Sequence, residues 1–190
     1  MSSDPEGREA VFDAIFASEA DPWAFESSAY EREKRSATMA ALDRRQFGSA
    51  FEVGCANGLL TRELTPRCKS LLAVDVSSKA LDRARVRLSG CDHVEFIKGN
   101  VPHDWPVRTF DLIVLSEVLY FLSAEEVALT SKKARRSLEP EGSCLLVNWT
   151  GPTDLPLDGH DVVNLFEASA DWRSTFRLEA PNYRIDRFGM

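Results

Sequence analysis

Ala50-Phe51-Glu52-Val53-Gly54-Cys55-Ala56-Asn57-Gly58-Leu59-Leu60 decides how this chain is read. Residues 50–54 make a short apolar strand and Leu59–Leu64 starts a helix, so the segment is a strand–loop–helix turn of the kind that binds nucleotides. The dinucleotide fingerprint G-x-G-x-x-G needs glycine at 54, 56 and 59, and the chain has Gly54, Ala56 and Leu59. A dehydrogenase built around a pyrophosphate is therefore the weakest reading. Gly54 and Gly58 still let the backbone approach a ligand without a Cβ in the way.

Outward from this turn the chain alternates strand and helix. Leu71–Val74 is a strand ending in Asp75, and Ser77 or Ser78 caps a helix to about Leu88. Val94–Ile97 is a third strand and Phe110–Leu115 a fourth. Ser123, with Glu126 three residues on, forms a capping box for a helix ending near Leu138, before Pro140 and Gly142. Ser143–Asn148 is the fifth strand. Apolar strands alternating with helices predict a parallel sheet covered on both faces. Asp161–Ala170 is a helix. Arg173–Leu178 and Tyr183–Arg187 are then joined by four residues, too few for a parallel crossover, so they pair antiparallel. Upstream, residues 1–7 read as a loose tail. A helix follows over Arg8–Ser18, then a break at Asp21-Pro22-Trp23 and a second helix from Ser27 or Ser28 to about Arg45.

Composition excludes several classes. A length of 190 residues suggests one domain, and 44% apolar with 28% charged residues is ordinary for a globular protein. The net charge of −7 speaks against a nucleic-acid partner. The basic run Lys132, Lys133, Arg135, Arg136 reads as a solvated helix face. Cys55, Cys68, Cys91 and Cys144 form no C-x-x-C pair, so neither a metal site nor a disulfide framework is expected. With no secretory leader or bilayer-length apolar stretch, a cytoplasmic protein without membrane partners is expected, as a monomer or weak dimer.

An acidic residue followed by Gly54, Ala56 and Gly58 resembles the G-x-G-x-G loop of class I methyltransferases. Five parallel strands plus a C-terminal antiparallel hairpin is also their order. The resemblance implies a Rossmann-like α/β fold and S-adenosyl-L-methionine (SAM) as cofactor, released as S-adenosyl-L-homocysteine (SAH), with no metal. On that basis Glu52, Gly54, Ala56 and Gly58 line the cofactor, Glu52 compensating its positive charge. Asp75, 21 residues after Gly54, accepts the ribose hydroxyls, with Val76 beside it. Asn100 meets the adenine amino group through its side-chain carbonyl, next to Val101. Ser116 closes the cofactor end of the fourth strand.

Ser116-Glu117-Val118-Leu119-Tyr120-Phe121, read with Asp21-Pro22-Trp23 and Tyr30-Glu31, is most similar to the nodulation N-methyltransferase (NodS-like) family. Residues 1–20 are then a tail and short helix, and 21–190 the methyltransferase domain with an N-terminal lid helix. Members of that family with known roles methylate the free amine of a deacetylated chitin-type oligosaccharide. The resemblance implies Glu117 as the base, since an amine attacks only when neutral, and Tyr120 as its catalytic neighbour. Trp23, Tyr30 and Trp149 are candidates for a lid or substrate wall. Of Arg32, Lys34 and Arg35, any could meet the cofactor carboxylate, but a solvated helix face is the expectation. His103, Asp104 and Trp105 read as a cofactor-pocket loop. His160 reads as a capping or satisfied polar residue, and Asp154 and Asp158 as acids on the acceptor side. Two alternatives stand beside an amino-sugar N-methyltransferase: an O- or N-methyltransferase of another small metabolite, and a SAM-binding module without catalysis.

Overall fold

The computed structural model describes residues 5–42, 44 and 46–190. Its centre is a seven-stranded sheet. In chain order the elements are α1 (Pro5–Ser18), α2 (Ala29–Ala40), β1 (Ala50–Val53), α3 (Leu59–Leu64), β2 (Leu71–Asp75), α4 (Ser78–Arg87), β3 (Val94–Lys98) and β4 (Phe110–Ser116). They continue with α5 (Ala124–Ser137), β5 (Leu138–Trp149), α6 (Gly159–Ala168), β6 (Arg173–Glu179) and β7 (Tyr183–Gly189). The strand order is β3-β2-β1-β4-β5-β7-β6. The first five strands are parallel, and β7 runs antiparallel between its neighbours β5 and β6. This is the expected sheet of five parallel strands and a terminal hairpin.

Both faces of the sheet are covered, which is why its inner strands read as unbroken apolar runs. On one face Phe51, Val53, Val74, Ile113, Leu115 and Leu146 pack with Val127 and Ala134 of α5 and Val162 and Phe166 of α6. On the other, Ala50, Leu71, Leu112, Val114 and Val147 pack with Ala41, Leu42 and Leu64. The helix starts follow local chemistry. Ser28, Ser77 and Ser123 accept the N3 amide of α2, α4 and α5 respectively, and Ser123 and Glu126 complete the capping box.

The structure corrects the sequence reading in three places. Residues 5–7 lie in α1, not in a tail, while residues 1–4 lie outside the described set. The second helix stops at Ala40, where the Arg67 guanidinium donates to the Met39 carbonyl and Ala41 and Leu42 turn into the core. Arg45, its expected end, lies outside the described residues. Finally, β5 begins at Leu138, paired with Phe110, and not at Ser143. Pro140 lies within it, because a register shift between Phe110 and Leu112 and a left-handed Glu141 (φ 63°) make an irregular corner that tolerates proline.

Candidate functional site

The carboxyl ends of β1, β2 and β4 open onto one cavity of about 590 Å³, closed from above by α1 and α2. This is the crevice where ligands of open α/β sheets bind. Glu52, Gly54, Ala56, Asp75, Val76, Asn100, Val101, Ser116, Glu117, Tyr120, Trp23, Tyr30 and Trp149 all line it. The residues nominated for the cofactor, the catalysis and the lid therefore converge, with one exception. Gly58 is not on the cavity wall. Its φ is 80° and a Cβ there would stand 3.0 Å from the Ala84 Cβ, so it is the glycine that lets the loop pack on α4. Gly54 does border the cavity, and a Cβ there would stand 2.3 Å from the Val118 Cγ2. Ala56 holds a left-handed backbone (φ 48°) that glycine would adopt freely.

Two carboxylates form the cavity floor. Glu52 is 1% exposed, and its Oε2 has no hydrogen-bond partner among the described residues. Burial pushes its carboxyl up to about 7, against the lowering effect of the nearby Thr61 hydroxyl and with the Asp75 charge adding to the rise. Asp75 is pushed up to about 6, again by burial, against the lowering effect of backbone amides. Its Oδ2 accepts from the Ala56 amide at 2.8 Å and its Oδ1 from the Ser77 amide at 2.9 Å. Each oxygen keeps a second lone pair for a ligand. Ser77, not Asp75, caps α4.

Beyond the end of β4 lies a second set of charges. Glu117, in the left-handed region at φ 58°, accepts from Lys34 Nζ at 2.8 Å and from the Trp149 amide at 3.0 Å. The Tyr120 hydroxyl also donates to it. Lys34 reaches Glu31 at 3.0 Å as well, and its ammonium lies 5.1 Å from the centre of the Tyr30 ring. The Tyr120 hydroxyl is pushed well up by burial and by Glu117. Tyr30 stands edge-on to Trp149 at 5.8 Å and to Tyr183 at 5.9 Å, and Trp23 lies among Phe12, Phe16 and Phe25.

Several expectations need correction here. Lys34 and Arg35 are buried and line the cavity; only Arg32 is on the solvated side of α2. Arg35 bonds Glu63 and the Phe25 carbonyl. His103, Asp104 and Trp105 do not line the cavity: Trp105 packs edge-on against Phe51 and donates to Ser137, while Asp104 accepts the Asn100 amide. Asp154 is exposed and off the wall, and Asp158 is the N-cap of α6. His160 meets Arg184, a satisfied polar role as expected. The Asn100 carbonyl, assigned to adenine, accepts from Arg8 at 2.8 Å. Arg8 also pairs with Glu126 at 2.7 Å, and with Phe12 and Phe16 it brings α1 into the cavity wall. Sequence reasoning missed this contribution, since α1 carries no motif of its own. Thr153 and Leu155 of the loop after β5, with Gly159 at the start of α6, also line the cavity.

Comparison with known proteins bears on the same region. The family model described as nodulation protein S (NodS) matches residues 12–139. Nodulation protein S of Sinorhizobium fredii is 39% identical over 109 residues, covering 57% of this chain and 50% of that protein. That of Rhizobium tropici is 38% identical over 125 residues, covering 64% and 52%. The chain thus spans about half the length of the nodulation relatives it matches. Among solved structures, a Pseudomonas syringae protein provisionally described as a methyltransferase is 33% identical, with a TM-score of 0.76 over 86% of this chain and 100% of that one. The N-methyltransferase NodS of Bradyrhizobium japonicum, solved with SAH, shares the fold at a TM-score of 0.84 and 22% identity, over 97% and 98% of the two chains.

Proposed function

The chain belongs to the nodulation protein S family, and from that premise we propose that it is a SAM-dependent N-methyltransferase acting on the free amine of a deacetylated chitin-type oligosaccharide or a related amino-sugar. One observation carries the cofactor half: a buried Glu52 carboxyl in the cavity wall, with an unsatisfied Oε2 beside a second buried acid. Two acids buried side by side with no cation paired with either among the described residues are costly, and a cationic ligand group beside them lowers that cost. The α-ammonium of an amino-acid-bearing ligand fits that need, and its charge draws Glu52 back to the ionised form. Asp75 offers its spare lone pairs to the ribose hydroxyls, and Gly54 keeps the wall free of a side chain there. Val76, Val101 and Phe121 supply apolar surface for the adenosyl group. The cofactor supplies an electrophilic methyl group.

At the other end, Glu117 is held at the end of β4 by Tyr120 and the Trp149 amide. A carboxylate fixed by two donors orients an amine in line for transfer and takes its proton at Oε1. Tyr30 and Trp149 give the sugar an aromatic edge. On this reading residues 21–190 are the methyltransferase domain, with α1 adding the cofactor-end wall. The acceptor is a small molecule or oligosaccharide, and the enzyme works in the cytoplasm as a monomer or weak dimer. Calorimetric titration with SAH tests the cofactor half, with saturable one-to-one binding expected. Methyl transfer from SAM to glucosamine oligomers, with fully N-acetylated oligomers as control, tests the acceptor. Absence of SAH binding would overturn the whole assignment, and equal turnover of both oligomers would remove the amine.

A further inference from the structure

Lys34, with its partner Glu31, is left unused by the methyl-transfer reading. Its side chain is only 7% exposed, at the acceptor end of the cavity. The ammonium makes one bond to Glu117, a second to Glu31, and faces the Tyr30 ring. Two carboxylates and an aromatic face are the complement of a primary alkylammonium. The three charged groups sum to −1, so the seat holds one cation with negative charge to spare. Lys34 also sits on a flexible four-carbon stem, which lets it leave the seat without moving α2.

We propose that Lys34 holds the place of the substrate: the acceptor's primary ammonium displaces the Lys34 ammonium from between Glu31 and Glu117, under the Tyr30 ring. This rests on the methyltransferase reading and adds the identity of the acceptor's seat. Exchange of one ammonium for another preserves both hydrogen bonds and the ring contact, so no buried carboxylate is left bare at any stage. A neutral hydroxyl or an N-acetyl group cannot make that exchange, because neither brings a charge to replace the one that leaves. Lys34 thereby makes selection for a free amine a property of the seat.

The test uses the intact chain with Lys34→Ala, and Lys34→Met as a second variant should the first fail to fold. Loss of the internal ammonium lowers the melting temperature, since Glu31 and Glu117 are left uncompensated. Ethylammonium chloride is expected to bring the melting temperature at least halfway back to that of the parent chain. Tetramethylammonium, which cannot donate, and sodium chloride at the same ionic strength are expected to do nothing. The parent chain, its seat filled, is expected not to respond to ethylammonium. In the SAH complex, the variants are expected to bind glucosamine oligomers at least about tenfold more tightly than the parent chain, with N-acetylated oligomers unaffected. No recovery with ethylammonium, or weaker binding of the amine by the variants, would overturn the proposal. Calorimetry with SAH on the same samples separates such a failure from a failure of the methyltransferase reading, because Lys34 lies at the acceptor end.

Discussion

Replacing Glu52 with glutamine tests the cofactor end of the cavity through stability and binding together. The folded carboxyl is raised from 4.5 to about 7 by burial, with Asp75 contributing. The folded chain therefore keeps this proton to higher pH than the unfolded chain does. Between about pH 4.5 and 7 the native state binds more protons, so stability falls as pH rises across that window and levels off above it. A displacement of roughly 2.5 units at 1.36 kcal/mol per unit sets an upper limit of about 3 kcal/mol on the loss. Glu52→Gln removes the titration. Urea unfolding should find the variant close to the parent chain at pH 5 and more stable at pH 8, by up to about 3 kcal/mol. Asp75 titrates in both proteins, so only its coupling to Glu52 survives the comparison. SAH binding should go the other way: the parent's affinity rises between pH 6 and 8 as Glu52 becomes available to an ammonium, while the variant's is weaker and lacks that rise. An unchanged stability difference between pH 5 and pH 8 would refute the reasoning, since it would mean Glu52 carries no displaced titration.

Two further substitutions separate backbone roles in the same loop. Gly58→Ala places a Cβ 3.0 Å from both the Ala84 Cβ and the Leu88 Cδ1 at a φ of 80°; urea unfolding should show a loss of about 2–4 kcal/mol, from left-handed strain and overpacking. SAH affinity of the folded protein should stay within about twofold, because Gly58 is off the cavity wall. Ala56→Gly relieves a left-handed alanine (φ 48°) at a cost in unfolded-chain entropy; the balance should be neutral to stabilising by up to about 1 kcal/mol, read by the same urea titration.

The sheet was legible because each of its signals is local. Apolar runs, the serine caps and the four-residue connection before Tyr183 each depend on a few neighbouring residues. The strand ends were legible for the same reason, and they carry Glu52, Asp75 and Glu117 into one cavity. What the sequence could not reveal are contacts made between elements far apart in the chain. Lys34 and Arg35 lie with Glu31 and Thr38 in a polar stripe at helical spacing, the pattern of a solvated face. Only the placement of α2 over the strand ends turns that stripe inward. Arg8 meets Asn100 and Glu126, 92 and 118 residues away, so no window of sequence contains the pairing. Gly58 misled for a different reason: a glycine needed for a ligand and one needed for helix packing leave the same letter.

The distribution of charge along the cavity explains why its two ends behave differently. Glu117 and Glu31 have a lysine between them, and Glu126 has Arg8. These acids are compensated before any ligand arrives. Glu52 and Asp75 have no cation paired with them among the described residues; Asp75 leans on backbone amides, and Glu52 has only the neutral Thr61 hydroxyl beside it. Burial without compensation is what raises both carboxyls, and it leaves the β1–β2 end of the cavity short of positive charge. A ligand that carries its own cation repairs that deficit, whereas an anionic phosphate would deepen it. Two missing glycines already disfavour a dinucleotide in this loop, and the electrostatics of the cavity floor disfavour its pyrophosphate more strongly still.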